Sequence, residues 1–442
     1  MSDLFDPLLA AGPVQPELGD QAWLQAMLDV EAALAGALAD AGLLQPAHAS
    51  AIAEACRAEY YDVVELGAQA VGIGNPAGPL VRALTAQVHG DAAGYVHFGA
   101  TSQDVLDSAL MLVVARALVP LLEDLEACAD RAAELAERHA RTVQAGRTLL
   151  QQALPTTFGC VAASWLSGLD TVIGGLGAYR PAAQLGGAAG TLASYGEHGP
   201  AVLKAFSERL QLDEPQLPWH TERTRVAALA GLLGEVDGAA ARIARSVTLL
   251  AQTEIGEVFE QGPAGSGGSS TLPHKRNPVA AVAVLACARP APGLVASVFA
   301  AMEQEHQRAA GAWHAEWRPI QELLRSTGSA VHWLRTSLER LRVDEHAMRE
   351  NVRDELMTER VTGVLVDKAG RLAAHDAVAE CSRRAAEGEG ALADLLAAHP
   401  LVGKHLDRAA IVGLLDPSGY LGSAQAFVER ALSAHHKRKG HA

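Results

Sequence analysis

The stretch Val226-Ala-Ala-Leu-Ala-Gly-Leu-Leu-Gly-Glu-Val-Asp-Gly-Ala-Ala-Ala-Arg-Ile-Ala-Arg-Ser-Val-Thr-Leu-Leu250 sets the fold class. Its apolar positions Leu229, Leu233, Val236, Ala240, Ile243, Val247 and Leu250 recur in alternating steps of four and three. That is the seam of a helix packed in a bundle or coiled coil. No proline interrupts Thr221 to Gln261, so the spacing predicts one helix of roughly 40 residues, ~60 Å long. A second helix is expected from about Val105 to Ala145, with Leu118, Leu122, Leu125, Ala129, Ala132 and Leu135 on one face. Pro120 falls inside it and is expected to kink or restart it.

Further helices are expected at Trp165–Tyr179, Pro278–Glu305 and Ile320–Arg342, and no alternating β-branched run exceeds four or five residues. The expected class is all-α, with a central long-helix bundle. Pro and Gly breaks divide the chain into three expected zones. Short helices fill residues 1–100, the long helices 101–350, and short helices return over 351–442.

The composition agrees. The chain has 442 residues, 49% of them hydrophobic and 4% aromatic, ample for a core without staples. A net charge of −15 argues against nucleic acid and anionic membranes as partners. The basic run His435-His-Lys-Arg-Lys439 reads as a solvated tail. Five scattered cysteines without metal-ligand spacing, and no N-terminal signal pattern, suggest a cytoplasmic protein. The uncharged stretch Thr148 to Leu169 carries Gln151, Gln152, Pro155 and several hydroxyls, a poor membrane span. The dispersed histidines at 97, 220, 274, 306 and 314 suggest no metal.

The densest chemistry lies in Gly265-Ser-Gly-Gly-Ser-Ser-Thr-Leu-Pro-His-Lys-Arg-Asn-Pro278. A Gly/Ser loop can turn backbone N–H groups toward an anion, and Ser269, Ser270, Lys275 and Asn277 add donors for a carboxylate or an oxyanion. It lacks the spacing of a P-loop. On composition alone an ordinary interhelical connector reads equally well. Two other segments invite the same double reading. In His97-Phe-Gly-Ala-Thr-Ser-Gln-Asp104, Thr101 or Ser102 can grip an anion or simply cap the next helix, and His97 can be a structural histidine. The glycines at 186, 187 and 190 read as a tight turn, and the Trp313/Trp317 pair as bundle packing.

Gly268-Ser-Ser-Thr-Leu-Pro-His-Lys-Arg-Asn-Pro278 resembles the GSSxMPxKxNP signature of the fumarase/aspartase superfamily, with Leu272 where Met is usual. The 97–104 segment with Asp107, and Gly146-Arg-Thr-Leu-Leu-Gln-Gln-Ala-Leu-Pro155, are similar to its two other segments, in the same order. The resemblance implies that Ser269 exchanges a proton at carbon. Lys275, Asn277, Thr101, Ser102 and Thr148 would bind carboxylate, with Arg147 or Gln151 orienting the site and His97 and Ser270 as further possibilities. It also implies a homotetramer with sites composed from several subunits, a small polycarboxylate substrate and no cofactor.

Two departures refine this. Leu149 stands where the family carries a catalytic histidine, and Val282 where many members carry its glutamate partner. A lyase that adds water or an amine needs proton transfer at the heteroatom, whereas a substrate carboxylate acting as nucleophile is already ionised. The branch of bacterial 3-carboxy-cis,cis-muconate cycloisomerases also lacks that histidine. Met302–Trp317, Leu185–Ser194 and Pro218–Thr221 are similar to it. The expected activity is therefore lactonisation of carboxymuconate to 4-carboxymuconolactone. A fumarate-releasing lyase, a sulfo-muconate cycloisomerase and a non-catalytic structural protein stay open. Arg147, Lys275 and Arg276 would supply local positive charge.

Overall fold

The computed structural model describes residues 4–263, 267–268, 271–272 and 275–440. The chain is helical almost throughout, as expected, and its residues cluster into two compact units. The first is Met1–Glu126, Val172–Ala241 and Ala283–Arg335; the second is Ala127–Thr171, Arg242–Val282 and Thr336–Ala442.

The seam helix spans Thr224–Leu250. Leu229, Leu233, Val236, Ala240, Ile243 and Val247 are all buried along it. It is shorter than expected, because the absence of proline does not exclude other breakers. Gly256 turns the chain at φ 62°, and Glu257 donates its N–H back to the Leu250 carbonyl at 3.0 Å. The other long helices are Ser102–Arg138, Phe158–Ala178 and Ala312–Arg340. The first runs through Pro120 and the last through Pro319, neither of which breaks it. The expected 278–305 helix is two, Val279–Ala288 and Ala291–Ala300, divided at Pro290, whose nitrogen has no hydrogen to donate. Among the described residues, four helical segments, one of them spanning both Val279–Ala288 and Ala291–Ala300, are apolar and long enough to cross a membrane by length and composition. Two of them, Asp20–Asp40 and Ser102–Arg138, bury 67% and 72% of their most apolar stretch inside the fold.

The segment expected to end the second long helix is instead a hairpin. Strand β1, Val143–Thr148, pairs antiparallel with β2, Gln151–Thr157, with a bulge between Ala145 and Arg147. Gly146 is required there, since a Cβ would meet the Leu154 carbonyl oxygen at 2.6 Å. Strands β3, Val258–Glu260, and β4, Leu341–Val343, form a second two-stranded ribbon in the second unit. That unit also holds a core of its own around Met357, Val361, Leu365, Val378, Leu396 and Ile411.

The basic C-terminal run is not a solvated tail. It lies in the Ala424–Gly440 helix, with His435 buried. The two ring nitrogens of His435 sit 2.9 Å from Asp170 and 3.1 Å from Asp130, and Arg438 and Lys439 pair with the same two carboxylates. Opposite charge holds the segment down, which composition alone does not reveal.

Candidate active site

In the first unit the 97–104 segment is held from several sides. Gly99, at φ 75°, leaves room for Tyr195, whose ring would stand 2.3 Å from an added Cβ and whose hydroxyl donates to the Phe98 carbonyl at 2.8 Å. His97 bonds Glu31 at 2.7 Å. Burial opposes charge on the imidazole, but the Glu31 hydrogen bond and charge outweigh it and raise its pKa. This supports a structural reading for His97, which also takes a positive φ of 58°.

The start of the Ser102–Arg138 helix is braced by a carboxylate. The Asp104 carboxylate reaches back to accept the Thr101 N–H at 3.0 Å, half of a capping box. The same carboxylate accepts the N–H groups of Gly186 and Gly187, each at 2.9 Å, and lies 2.7 Å from His220 Nε2. Asp104 thus ties the glycine turn to the start of the helix, with Gly187 at φ 69° and Gly190 at φ 79°. The Thr101 hydroxyl accepts from Arg308 Nη1 at 2.7 Å, and Arg308 also reaches the carbonyls of Gly187 and Ala188. Thr101 and Ser102 are half-buried.

One turn further along, Asp107 enters a cluster that the sequence reading missed. Arg223 donates to Asp107 at 2.8 and 3.0 Å and to Glu316 at 2.7, 3.0 and 3.2 Å, all three side chains being buried. Gln103 and the Trp313 indole N–H add bonds to Asp107 at 3.1 Å each, and Gln304 donates to Glu316 at 2.7 Å. Burial pushes the Glu316 carboxyl up despite Arg223, because two carboxylates share one guanidinium. Trp313 is therefore both packing and a hydrogen-bond donor, with Trp317 edge-on against it at 4.9 Å. No local pattern marks this cluster, because Arg223 precedes the Thr224–Leu250 helix and Glu316 lies among other charged residues in Ala312–Arg340.

In the second unit the hairpin presents Thr148, Leu149, Leu150 and Gln151 at its tip, all exposed. Leu149 and Leu150 take φ of 50° and 65°, and are 97% and 75% exposed. Arg147, expected to face substrate, is instead spent on the fold. Its guanidinium pairs with the buried Glu257 at 2.5 and 3.0 Å, and that carboxylate also accepts from Gln144 at 2.7 Å and Asn351 at 2.8 Å. Gln152 adds a bond to the Asn351 carbonyl at 2.8 Å. Glu257 is the missed residue that fixes the hairpin's base and neutralises one of the three expected local charges.

In the signature loop, Asn277 donates both its backbone and side-chain N–H groups to the Gly267 carbonyl, at 2.8 and 3.1 Å. Gly267 takes φ 72°, and a Cβ there would meet the Asn277 carbonyl at 2.6 Å. Lys275 and Arg276 are exposed, and Val282 is 52% exposed on the next helix. Ser269, Ser270 and His274 lie outside the described residues. Among the described residues no group of three or more His, Cys, Asp or Glu side chains could hold a metal ion.

Comparison with known proteins finds relatives over nearly the whole chain. The family described as lyase matches residues 13–293, and the adenylosuccinate lyase C-terminus family matches residues 355–431. A 3-carboxy-cis,cis-muconate cycloisomerase of Pseudomonas aeruginosa is 46% identical, over 98% of this chain and 97% of its own. A nitrosuccinate lyase of Streptomyces davaonensis is 42% identical, over 98% and 94%. Among solved structures, the 3-carboxy-cis,cis-muconate lactonizing enzyme of Pseudomonas putida superposes with a TM-score of 0.95 at 40% identity, over 99% of this chain and all of that one.

Proposed function

The chain belongs to the fumarase/aspartase superfamily of lyases, and from that premise we propose that it is a cycloisomerase converting 3-carboxy-cis,cis-muconate to 4-carboxymuconolactone. In this reaction one substrate carboxylate oxygen adds to an alkene carbon of the same molecule, and a proton is delivered to the neighbouring carbon. Nothing leaves, and no redox step or cofactor is needed. Lys275, Asn277, Thr101, Ser102 and Thr148 bind the carboxylates and stabilise the charge that develops on them. Ser269 exchanges the proton at carbon. Arg147 acts through the Glu257 pair, holding the hairpin that carries Thr148 and Gln151.

The observation that carries this reading is the joint replacement at 149 and 282. An exposed leucine and a half-exposed valine stand where heteroatom proton transfer needs a histidine and a carboxylate. Ser269→Ala is expected to abolish turnover of carboxymuconate while leaving the thermal melt unchanged, with loss of the diene absorbance as the assay. Full activity in that variant would overturn the role of Ser269.

The 42% identical nitrosuccinate lyase supports a second reading, elimination from a substituted succinate with release of fumarate. Diene loss against fumarate gain, each followed in the ultraviolet, separates the two. We place the enzyme in the cytoplasm, a reducing compartment that suits five cysteines joined by no disulfide.

The expected homotetramer with composite sites is part of the proposal, as is the division at about residues 100 and 350. Thr101 and Ser102 belong to the first unit, and Thr148, Lys275 and Asn277 to the second. The most apolar stretch of Val279–Ala300 is only 39% buried, with Val279, Val282 and Phe299 exposed, which supports association of copies through it. Light scattering that found a stable monomer would contradict the composite site.

A further inference from the structure

A cavity of about 230 Å³ lies inside the first unit, and none of the residues proposed to touch the carboxylate substrate lines it. Its walls are Leu24 and Met27 from the Asp20–Asp40 helix, Leu80 from the Ala77–Gln87 helix, Leu110, Ile320, and Leu66 from the Val63–Ile73 helix. The indoles of Trp23 and Trp317 complete it. An apolar cavity of about 150 Å³ is enough to stay dry and admit a benzene-sized molecule, so this one has room for a single substituted ring.

The polar groups along the wall define what can enter. Arg223 is the cation lining the cavity, and its nitrogens are taken up by Asp107 and Glu316. With Asp20 also in its lining, the cavity carries three carboxylates and one guanidinium. A carboxylate ligand would meet no available cation and a surplus of like charge. The Trp23 indole N–H is a different matter. It is buried with no hydrogen-bond partner among the described residues, a donor that an acceptor on a guest could satisfy.

The covering helix fits a mouth better than a wall. Val63–Ile73 is capped at both ends, by the Asp62 carboxylate and by Gly74 at φ 87°, yet Leu66 is its only buried residue. Val64 and Val71 are 81% and 85% exposed. Such a helix can keep its shape while shifting over the opening. Gly67 lines the cavity from it, and a Cβ added there meets nothing within 4 Å.

We propose that this cavity is a binding site for a neutral, ring-sized apolar molecule, separate from the carboxylate site and entered beneath the Val63–Ile73 helix. Its test uses the full-length chain, with toluene as the neutral probe and benzoate as its charged counterpart. Calorimetry is expected to show saturable binding of one toluene per chain, with benzoate weaker by at least about tenfold. Gly67→Leu places a side chain in the opening at a helical position that favours Leu over Gly, and is expected to weaken toluene binding by at least about tenfold. The wild-type comparison of the two probes stands whether or not that variant folds. Absence of saturable toluene binding, benzoate binding as tightly as toluene, or unchanged binding in a folded Gly67→Leu protein would each overturn the proposal.

Discussion

The Arg223 cluster and the hairpin tip at 148–151 are built in opposite ways. The first buries a guanidinium and two carboxylates and satisfies them with one another. The second exposes two leucines in left-handed backbone and holds them by a buried ion pair at their base. Charge in this protein is thus paired internally at Arg223 and Arg147 and left exposed at Lys275. Counting basic residues near the motifs does not distinguish the two uses; burial and partners do.

The sharpest way to break that comparison is to remove the shared cation. Arg223→Met leaves Asp107 and Glu316 buried against each other with no counter-charge, and should destabilise the fold by about 3–5 kcal/mol. Urea unfolding midpoints measure it, and a change under ~1 kcal/mol would mean that the cluster is not the internal brace described here. Lys275→Met is the opposite case. Its side chain is exposed, so the melt should not move, while kcat/KM on carboxymuconate should fall roughly 100-fold, or about 3 kcal/mol of transition-state stabilisation. A variant that loses stability instead would place Lys275 with Arg223 and Arg147 among the structural charges.

Asp237 extends the comparison to a buried carboxylate without a cation. Burial pushes its pKa up to about 8, with only the Thr327 hydroxyl donating to it, at 2.7 Å. In the unfolded chain the group ionises near its ordinary value of 3.8. As pH rises between these values the unfolded state loses the proton and the folded state keeps it. The stabilising contribution is therefore full below 3.8 and lost as pH rises through about 8. Asp237→Asn cannot ionise, so its stability relative to wild type should improve steadily from pH 5 to pH 8.5, read from urea midpoints across that range.

These features differ in how far the sequence foretells them. The seam is legible because burial recurs with the helical period, and Leu229, Leu233 and Val247 are fully buried. The end of its helix at Leu250 is not, since no proline marks it. The hairpin escapes notice because its turn carries Leu149 and Leu150 in place of an Asn-Gly pair and its first strand is interrupted by the Gly146 bulge. Asp107, Arg223 and Glu316 lie 116 and 93 residues apart, so only the packed helices bring their charges together. The family was legible through the length of the signature around Lys275 and Asn277. The fate of Arg147 was not, because Glu257 lies 110 residues away in a stretch expected to be helix.

The smallest expected effect probes the hairpin tip itself. A two-residue turn with positive φ at both positions suits Asn-Gly and strains leucine, by roughly 1 kcal/mol or more at each site. Replacing Leu149 with Asn and Leu150 with Gly should therefore raise stability by about 1–2 kcal/mol if the leucines do nothing else for the fold. Their 97% and 75% exposure is consistent with that. Turnover should move the other way, by roughly tenfold, because the side chains beside Thr148 would no longer offer an apolar surface to the carbon skeleton of the substrate. A variant that gains stability and keeps its full kcat/KM would reduce the leucines to a strained turn. One that gains stability and loses activity would show that the strain is retained for the chemistry, and that the tip and the Arg223 cluster differ in purpose as well as in exposure.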